Sequence, residues 1–260
     1  MPPVTVLCMK WGALYGPHHV DRLARGVARH LGRPHRFVCL TDDPAGIDAE
    51  TRPLPDLGGA LGTDTRWRKL ALFRRDLPGL VGAGGTALFL DLDLVVVGGL
   101  DAFLDLSGPP GGVRIIRDDD LFRPKPLRRL RPARDRVLHA VGNSSVFRFE
   151  MGAHGDVLDD YLADPEGARA RFEISQQFQS DRLLARGLMD YWPRGWCVSF
   201  KNDCVPRGPL SYLRDPAPPP GARIVVFAGS PKMDEVMAGG GHRLHRRIGD
   251  VGWLREAWER

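Results

Sequence analysis

The sequence predicts a single α/β domain with a mixed central sheet flanked by helices. Three observations carry this: a strand-helix-strand alternation in the first forty residues, a long apolar run near residue 90, and a second half in which short apolar runs alternate with helical spacing. The chain's 260 residues suit one large domain or two small ones sharing an interface, and the pattern of elements favours one. At 43% hydrophobic and 27% charged it sits near the globular average, which excludes disorder along its whole length. Gly 31 and Pro 22 follow no collagen-like period and mark turns between short elements. The predicted domain covers residues 1–249, in halves 1–112 and 113–249, and residues 250–260 form a C-terminal helical tail.

The elements follow in order. Val4–Met9 reads as a short apolar strand, and His18–Leu31 places Val20, Leu23, Val27 and Leu31 at helical spacing. His35–Leu40 is the second strand and ends in the turn residues Thr41, Asp42, Asp43 and Pro44. Parallel strands joined by a helix place ligands at the strands' carboxyl ends. Residues 45–62 read as a Pro/Gly-rich loop. Asp64 caps a helix through Arg75 that carries Trp67, Leu70, Ala71 and Phe73. Past the breaker residues Pro78 and Gly79 comes the strongest strand, Ala87–Val97, whose length and β-branched end suit burial on both faces. Strands follow at Val113–Ile116, Val146–Phe149, Trp196–Phe200 and Ile224–Phe227. Helices cover Asp156–Leu162 and Gln179–Arg186. In the tail Val251, Leu254 and Trp258 share one helical face.

Charge and cysteines narrow the function classes. Basic groups number 37 and acidic groups 32, a net +5 that allows a phosphate-rich partner without requiring one. Much of the excess falls in residues 114–136, which read as a solvated insertion, an anionic-acceptor or membrane-surface contact, or a nucleic-acid patch. Phe122 is the only aromatic residue there, which disfavours nucleic acid. Cys8, Cys39, Cys197 and Cys204 form no CxxC pair and no metal spacing, so free thiols in a reducing compartment are expected. The N-terminus lacks a basic n-region, and no apolar stretch is long enough to span a bilayer. A cytoplasmic location follows, with contact at a membrane surface allowed.

The most informative segment is Phe89-Leu90-Asp91-Leu92-Asp93-Leu94-Val95-Val96-Val97. Carboxylates two residues apart point to the same side of an extended chain. Burying even one unpaired charge costs several kcal/mol, so the pair needs a compensating partner. Mg²⁺ or Mn²⁺ serves well, because hard divalent cations take carboxylate and phosphate oxygens. The bland alternative is two solvated turn residues, and the apolar run through Val97 argues against it.

At this pair the chain resembles the glycosyltransferases of the GT-A fold, and among them the bacterial family-8-like enzymes, whose DxD motif holds a metal and a nucleoside diphosphate. Other segments share the resemblance: Cys8-Met9-Lys10-Trp11-Gly12 with Tyr15, the helix Arg66-Trp67-Arg68-Lys69-Leu70, Asn143-Ser144-Ser145-Val146-Phe147, Ser180-Asp181, Trp192-Pro193-Arg194-Gly195-Trp196, and Val225 to Lys232. It implies a GT-A-like, Rossmann-related fold with a nucleotide-binding first half and a donor-sugar and acceptor second half. It also implies transfer of a sugar from a nucleotide-sugar donor, a UDP-sugar first, to a glycan, lipid or small-molecule hydroxyl, with retention of configuration. Asp91 and Asp93 would hold Mn²⁺ or Mg²⁺, Trp11 and Tyr15 would receive base and ribose, and Asn143 and Ser144 would line the donor sugar. Two positions depart from the pattern. Ala228 stands where the late motif commonly has a metal-binding His, and Arg182 stands where a Gln follows the Asp. Metal binding then rests on Asp91, Asp93 and phosphate oxygens alone, or is weak or dispensable.

The remaining candidates each have a structural alternative. Lys10, Arg68, Lys69 and Lys232 suit the developing charge of a leaving diphosphate, or are surface cations. Asp42 suits a ribose hydroxyl, or a turn. Asp181 suits orientation of a sugar, or the first turn of a helix. His18 and His19 show no partner in the sequence and read as structural. His242 and His245 follow a glycine run and suit a closing tail. Two further functions compete. A haloacid-dehalogenase-like phosphatase would use Asp91 as nucleophile and Asp93 as acid/base, although its motif normally opens the domain. A GT-A-shaped binding protein that has lost catalysis would explain Ala228.

Overall fold

The structure, a computed structural model, describes residues 4–61, 64–121, 141–241 and 247–259. β1 (Val4–Lys10), α1 (Pro17–His30) and β2 (His35–Thr41) form the expected parallel unit, with seven residues of each strand in register. α1 buries Val20, Leu23 and Val27 against the sheet. Inside the stretch read as a loop, β3 (Glu50–Pro53) pairs in parallel with β2. It is short, polar and closed by a proline, as an edge strand is, and so lacks an apolar signal.

The capped helix after Asp64 is a 3₁₀ helix, Thr65–Phe73, rather than an α-helix through Arg75. Asp64 does cap it, its Oδ1 accepting the Arg66 N–H at 3.0 Å. Trp67 and four consecutive residues, Leu70 to Phe73, are buried, so the segment has no single apolar stripe. Pro78 is not a breaker. It lies in the first turn of the short helix Leu77–Val81, where its missing N–H costs nothing.

The predicted strand Ala87–Val97 is two strands in two sheets. β4 (Thr86–Leu90) pairs with β1 in parallel and with β7 (Gly142–Glu150) antiparallel. β5 (Leu94–Val96) joins a second sheet. A carboxylate pair cannot be threaded through the middle of a buried ladder, so the chain crosses between sheets at Asp91-Leu92-Asp93. The seven-stranded sheet runs β3-β2-β1-β4-β7-β6-β8, where β6 is Val113–Arg117 and β8 is Met189–Tyr191. The three-stranded sheet runs β5-β10-β9, with β10 at Ile224–Val226 and β9 at Cys197–Ser199.

Both sheets mix parallel and antiparallel pairs. This is the mixed, helix-flanked α/β fold that the sequence predicts. Apolar side chains fill both faces of the large sheet and a third cluster under the small one. The C-terminal helix Gly252–Glu259 belongs to that third cluster, with Val251, Leu254 and Trp258 all buried as their spacing implies. The four cysteines are unpaired and buried. No helix among the described residues is long and apolar enough to cross a membrane.

Candidate active site

A cleft of about 600 Å³ opens where the two sheets meet, and Asp91 and Asp93 line it together. The backbone of the crossing explains why. The Asp91 N–H still donates to Ser145 O on β7 at 2.9 Å, while Asp93 O already accepts the Phe227 N–H beyond β10 at 2.7 Å. One carboxylate therefore belongs to each sheet, and Leu92 between them is buried.

Each carboxylate faces a lysine. Lys69 Nζ donates to Asp91 Oδ2 at 2.5 Å and lies 3.3 Å from Ser144 O. The 3₁₀ helix positions Lys69 because Trp67, two residues earlier, is locked in the core by stacking on Tyr161 at 5.1 Å. Lys232 Nζ donates to the Tyr15 hydroxyl at 2.8 Å and to Asp93 Oδ2 at 3.3 Å. Lys232 also caps the helix Met233–Met237, its backbone N–H donating to Glu235 Oε2 at 3.3 Å. Gly229, at φ +78°, makes the preceding turn available only to a residue without a Cβ constraint.

Burial raises the Asp91 carboxyl to about 6; Lys69 opposes this and Asp93 adds to it. Burial and the Asp93 charge push the Tyr15 phenol up, with Lys232 acting the other way. For Lys232, burial pulls downward, but the Tyr15 hydrogen bond and Asp93 outweigh it and hold the ammonium above its ordinary value.

Asn143, Ser144 and Ser145 line the cleft from β7, which starts four residues earlier than its apolar pattern. Asn143 Oδ1 accepts the Ser145 N–H at 3.0 Å, and its Nδ2 lies 3.3 Å from Asp118 Oδ1. Gln176, which the sequence reading missed, shares that carboxylate through Nε2 at 3.2 Å. The helix carrying it, Ser175–Ala185, begins four residues before its expected start at Gln179. Ser175, an N-terminal type of residue ahead of the Gln-Gln-Phe run, was the signal for that earlier start. Asp118, buried at the end of β6, gave none.

The predicted residues divide. Trp11, Tyr15, Lys69, Asp91, Asp93, Asn143, Ser144, Ala228 and Lys232 line one cleft; Lys10, Asp42, Arg68 and Asp181 do not. Lys10 is buried at the end of β1, opposite Thr41. Asp42 Oδ2 accepts the Gly12 N–H at 3.1 Å, which is a loop-closing role. Arg68 has a buried Nε without a hydrogen-bond partner and does not line the cleft. Asp181 lies beside Arg182 at 3.4 Å on a half-exposed face, while the neighbouring Ser180 accepts the Gly142 N–H at 2.8 Å and ties the helix to β7.

Trp192 is core, its Nε1–H donating to Val146 O at 3.1 Å. His18 and His19, read as lacking partners, lie 3.9 and 3.1 Å from Asp234 Oδ2. Burial depresses the His19 imidazole and Asp234 opposes that. Of the basic run, Arg114 pairs with Asp190 and Arg117 stacks on Tyr191 at 3.9 Å. Residues 122–140, with the rest of that run, and His242 and His245 lie outside the described residues.

Two observations test the fit to a divalent cation. Asp93 Oδ1 is buried and accepts no hydrogen bond, leaving a carboxylate oxygen free for a ligand. Ala228 offers no side-chain donor atom, and its carbonyl accepts from Lys201 Nζ at 2.7 Å. The protein therefore supplies two carboxylates, a set that suits a cation sharing its shell with phosphate oxygens.

With this geometry in place, the fold can be assigned. It is the GT-A-like fold of glycosyltransferases. The galactosyltransferase LgtC, solved with donor and acceptor sugar analogues, superposes with a TM-score of 0.58 at 13% identity, over 88% of this chain and 89% of that one. The glycosyltransferase GlyE of Streptococcus pneumoniae TIGR4 gives 0.57 at 14% identity, over 98% of this chain and 60% of its own length. Mouse xyloside xylosyltransferase 1 gives 0.50 at 12% identity, over 76% and 88%. No protein-family profile and no curated protein sequence matches the chain.

Proposed function

We propose that the protein transfers a sugar from a nucleoside-diphosphate donor, a UDP-sugar first, to an acceptor hydroxyl. The observation that carries this reading is the Asp91–Asp93 crossing at the floor of the cleft, with an ammonium on each side. Trp11 and Tyr15, both in the cleft lining, offer aromatic rings for the base. Asn143, Ser144 and Gln176 offer amides and a hydroxyl for sugar hydroxyls, and Asp118 fixes the two amides.

Departure of the nucleoside diphosphate develops negative charge that Lys232 and Lys69 are placed to stabilise, each by leaving its carboxylate for a phosphate oxygen. Asp91 and Asp93 would hold Mn²⁺ or Mg²⁺ together with those oxygens. Such a cation neutralises diphosphate charge when bound. The resemblance supports retention of configuration. Asp181, off the cleft wall, takes no part in this reading. Ala228 favours a second reading, a GT-A-shaped nucleotide-binding protein without transfer.

Titration calorimetry with UDP, in Mn²⁺ and in chelator, tests the first reading. UDP binds in Mn²⁺, and Lys232→Ala weakens it about ten- to hundredfold, the range for a hydrogen bond to a charged group. If UDP and the other nucleoside diphosphates fail under both conditions, the proposal is wrong. Binding without hydrolysis or transfer of any donor leaves the second reading.

A further inference from the structure

His18 and His19, side by side at the start of α1, both bring a ring nitrogen to Asp234 in the helix Met233–Met237. His19 Nε2 lies 3.1 Å and His18 Nε2 3.9 Å from Asp234 Oδ2, and one donor atom from each of the three residues falls within 4.8 Å of the others. Adjacent residues on a helix point about 100° apart. Here the two imidazole centroids are only 4.2 Å apart, because Gly16 leaves room for the His18 ring to fold back. A Cβ on Gly16 would lie 2.8 Å from His18 Nδ1 and Cε1.

A hydrogen bond accounts for only two of these residues. The Gly16 N–H donates to His19 Nδ1 at 3.2 Å, so the neutral ring carries its proton on Nε2 and donates it to Asp234. His18 takes no part in that bond, yet its Nε2 approaches the same oxygen. Among the described residues Asp234 forms ion pairs with these imidazoles alone, so no lysine or arginine competes for the carboxylate.

We infer that His18, His19 and Asp234 form a zinc site, separate in its donors from the Asp91–Asp93 pair. Tetrahedral zinc, with bonds of about 2.0–2.1 Å, sets neighbouring donors about 3.3 Å apart. The separations from Asp234, 3.1 and 3.9 Å, bracket that spacing. Two imidazoles with one carboxylate favour zinc over magnesium or manganese, which favour oxygen. Water takes the fourth position. As the ion binds, the His19 proton leaves Nε2 and the ring is protonated on Nδ1 instead, so the Gly16 hydrogen bond is lost. One neutral hydrogen bond is small beside the free energy of zinc ligation. The ion would tie α1 to the helix that Lys232 caps. The His19 ring packs edge-on against Tyr15 at 5.1 Å, and the Tyr15 hydroxyl accepts from Lys232 Nζ at 2.8 Å, so zinc would hold both of these cleft residues in place. This inference does not rest on the transferase reading.

Calorimetric titration of the whole chain with zinc tests it, with the thiols kept reduced and magnesium in excess to compete for carboxylate oxygens. Wild type takes up a single zinc ion. The His18 and Asp234 side chains are half-exposed, so His18→Gln and Asp234→Asn should melt with wild type in chelator. Each should weaken zinc binding by more than about tenfold, since losing a ligand costs at least as much as losing a ligand's hydrogen-bond partner. Asp91→Asn should leave zinc binding unchanged. Cobalt(II) in place of zinc should show the visible bands of a nitrogen- and oxygen-bound ion, without a thiolate charge-transfer band. Three results would overturn the inference: wild type that takes up no zinc, uptake that His18→Gln and Asp234→Asn leave intact, or a thiolate band with cobalt.

Discussion

At the scale of single residues, Asp91 sets stability against function. Its carboxyl is raised to about 6 by burial, above the ordinary value of about 3.9. Between about pH 4 and 6 the folded protein holds a proton that the unfolded chain has lost, so stability declines as pH rises through that window. Above it the folded state carries a constant penalty, on the order of 3 kcal/mol for a shift of this size. Asp91→Asn resembles the protonated acid. It should therefore melt with wild type near pH 4 and above wild type by several degrees at pH 7, while losing nucleotide binding. Thermal melts across that range check this; an equal difference at all pH values would refute it. The pair was legible from sequence because two acids in an apolar run are costly. The lysines opposite were legible only as nearby cations, since pairing across the cleft depends on the 3₁₀ helix and on Gly229, which carry no spacing signal.

At the scale of elements, the 3₁₀ helix Thr65–Phe73 is the part that aims Lys69. Its start is held by Asp64, which accepts the Arg66 N–H and pairs with the Arg66 guanidinium at 2.8 Å. The guanidinium contact is exposed and contributes little. The cap itself should matter more: Asp64→Ala should cost about 1 kcal/mol, or about 3 °C of melting temperature in a chain of this size. Because the cap precedes Lys69, nucleotide affinity should fall as well. Asp64→Asn, which keeps the acceptor, should restore both in melts and calorimetry. Element type was misread here because a segment buried on several sides shows neither period. Strand limits were misread for a related reason. β7 runs on through Asn143, Ser144 and Ser145, polar residues that face a cleft rather than a core, so apolar patterning ends before the strand does. The residues closest to the proposed chemistry are those for which hydrophobic periodicity is silent.

At the scale of the whole molecule, the cleft needs two sheets held at a fixed separation, and the small sheet is the weaker part. It has three strands of three residues each, too little to stand without cover. Its cover is the third apolar cluster, which the C-terminal helix completes with Leu254 and Trp258. Trp258 also reaches α1, with the His19 ring at 5.8 Å and the Arg22 guanidinium at 5.7 Å. The helical tail read from sequence is therefore a strut between the two sheets' supports. Trp258→Ala should cost about 3–5 kcal/mol, as large aromatic truncations in cores do, and lower the melting temperature by about 10 °C. Trp258→Phe should cost far less, because it keeps most of the buried area and deletes an indole N–H that has no hydrogen-bond partner. Melting of both variants separates a structural helix from a dispensable one. An alanine variant within a degree or two of wild type would mean that the small sheet stands without its terminal helix, and that the separation of Asp91 from Lys232 is set elsewhere.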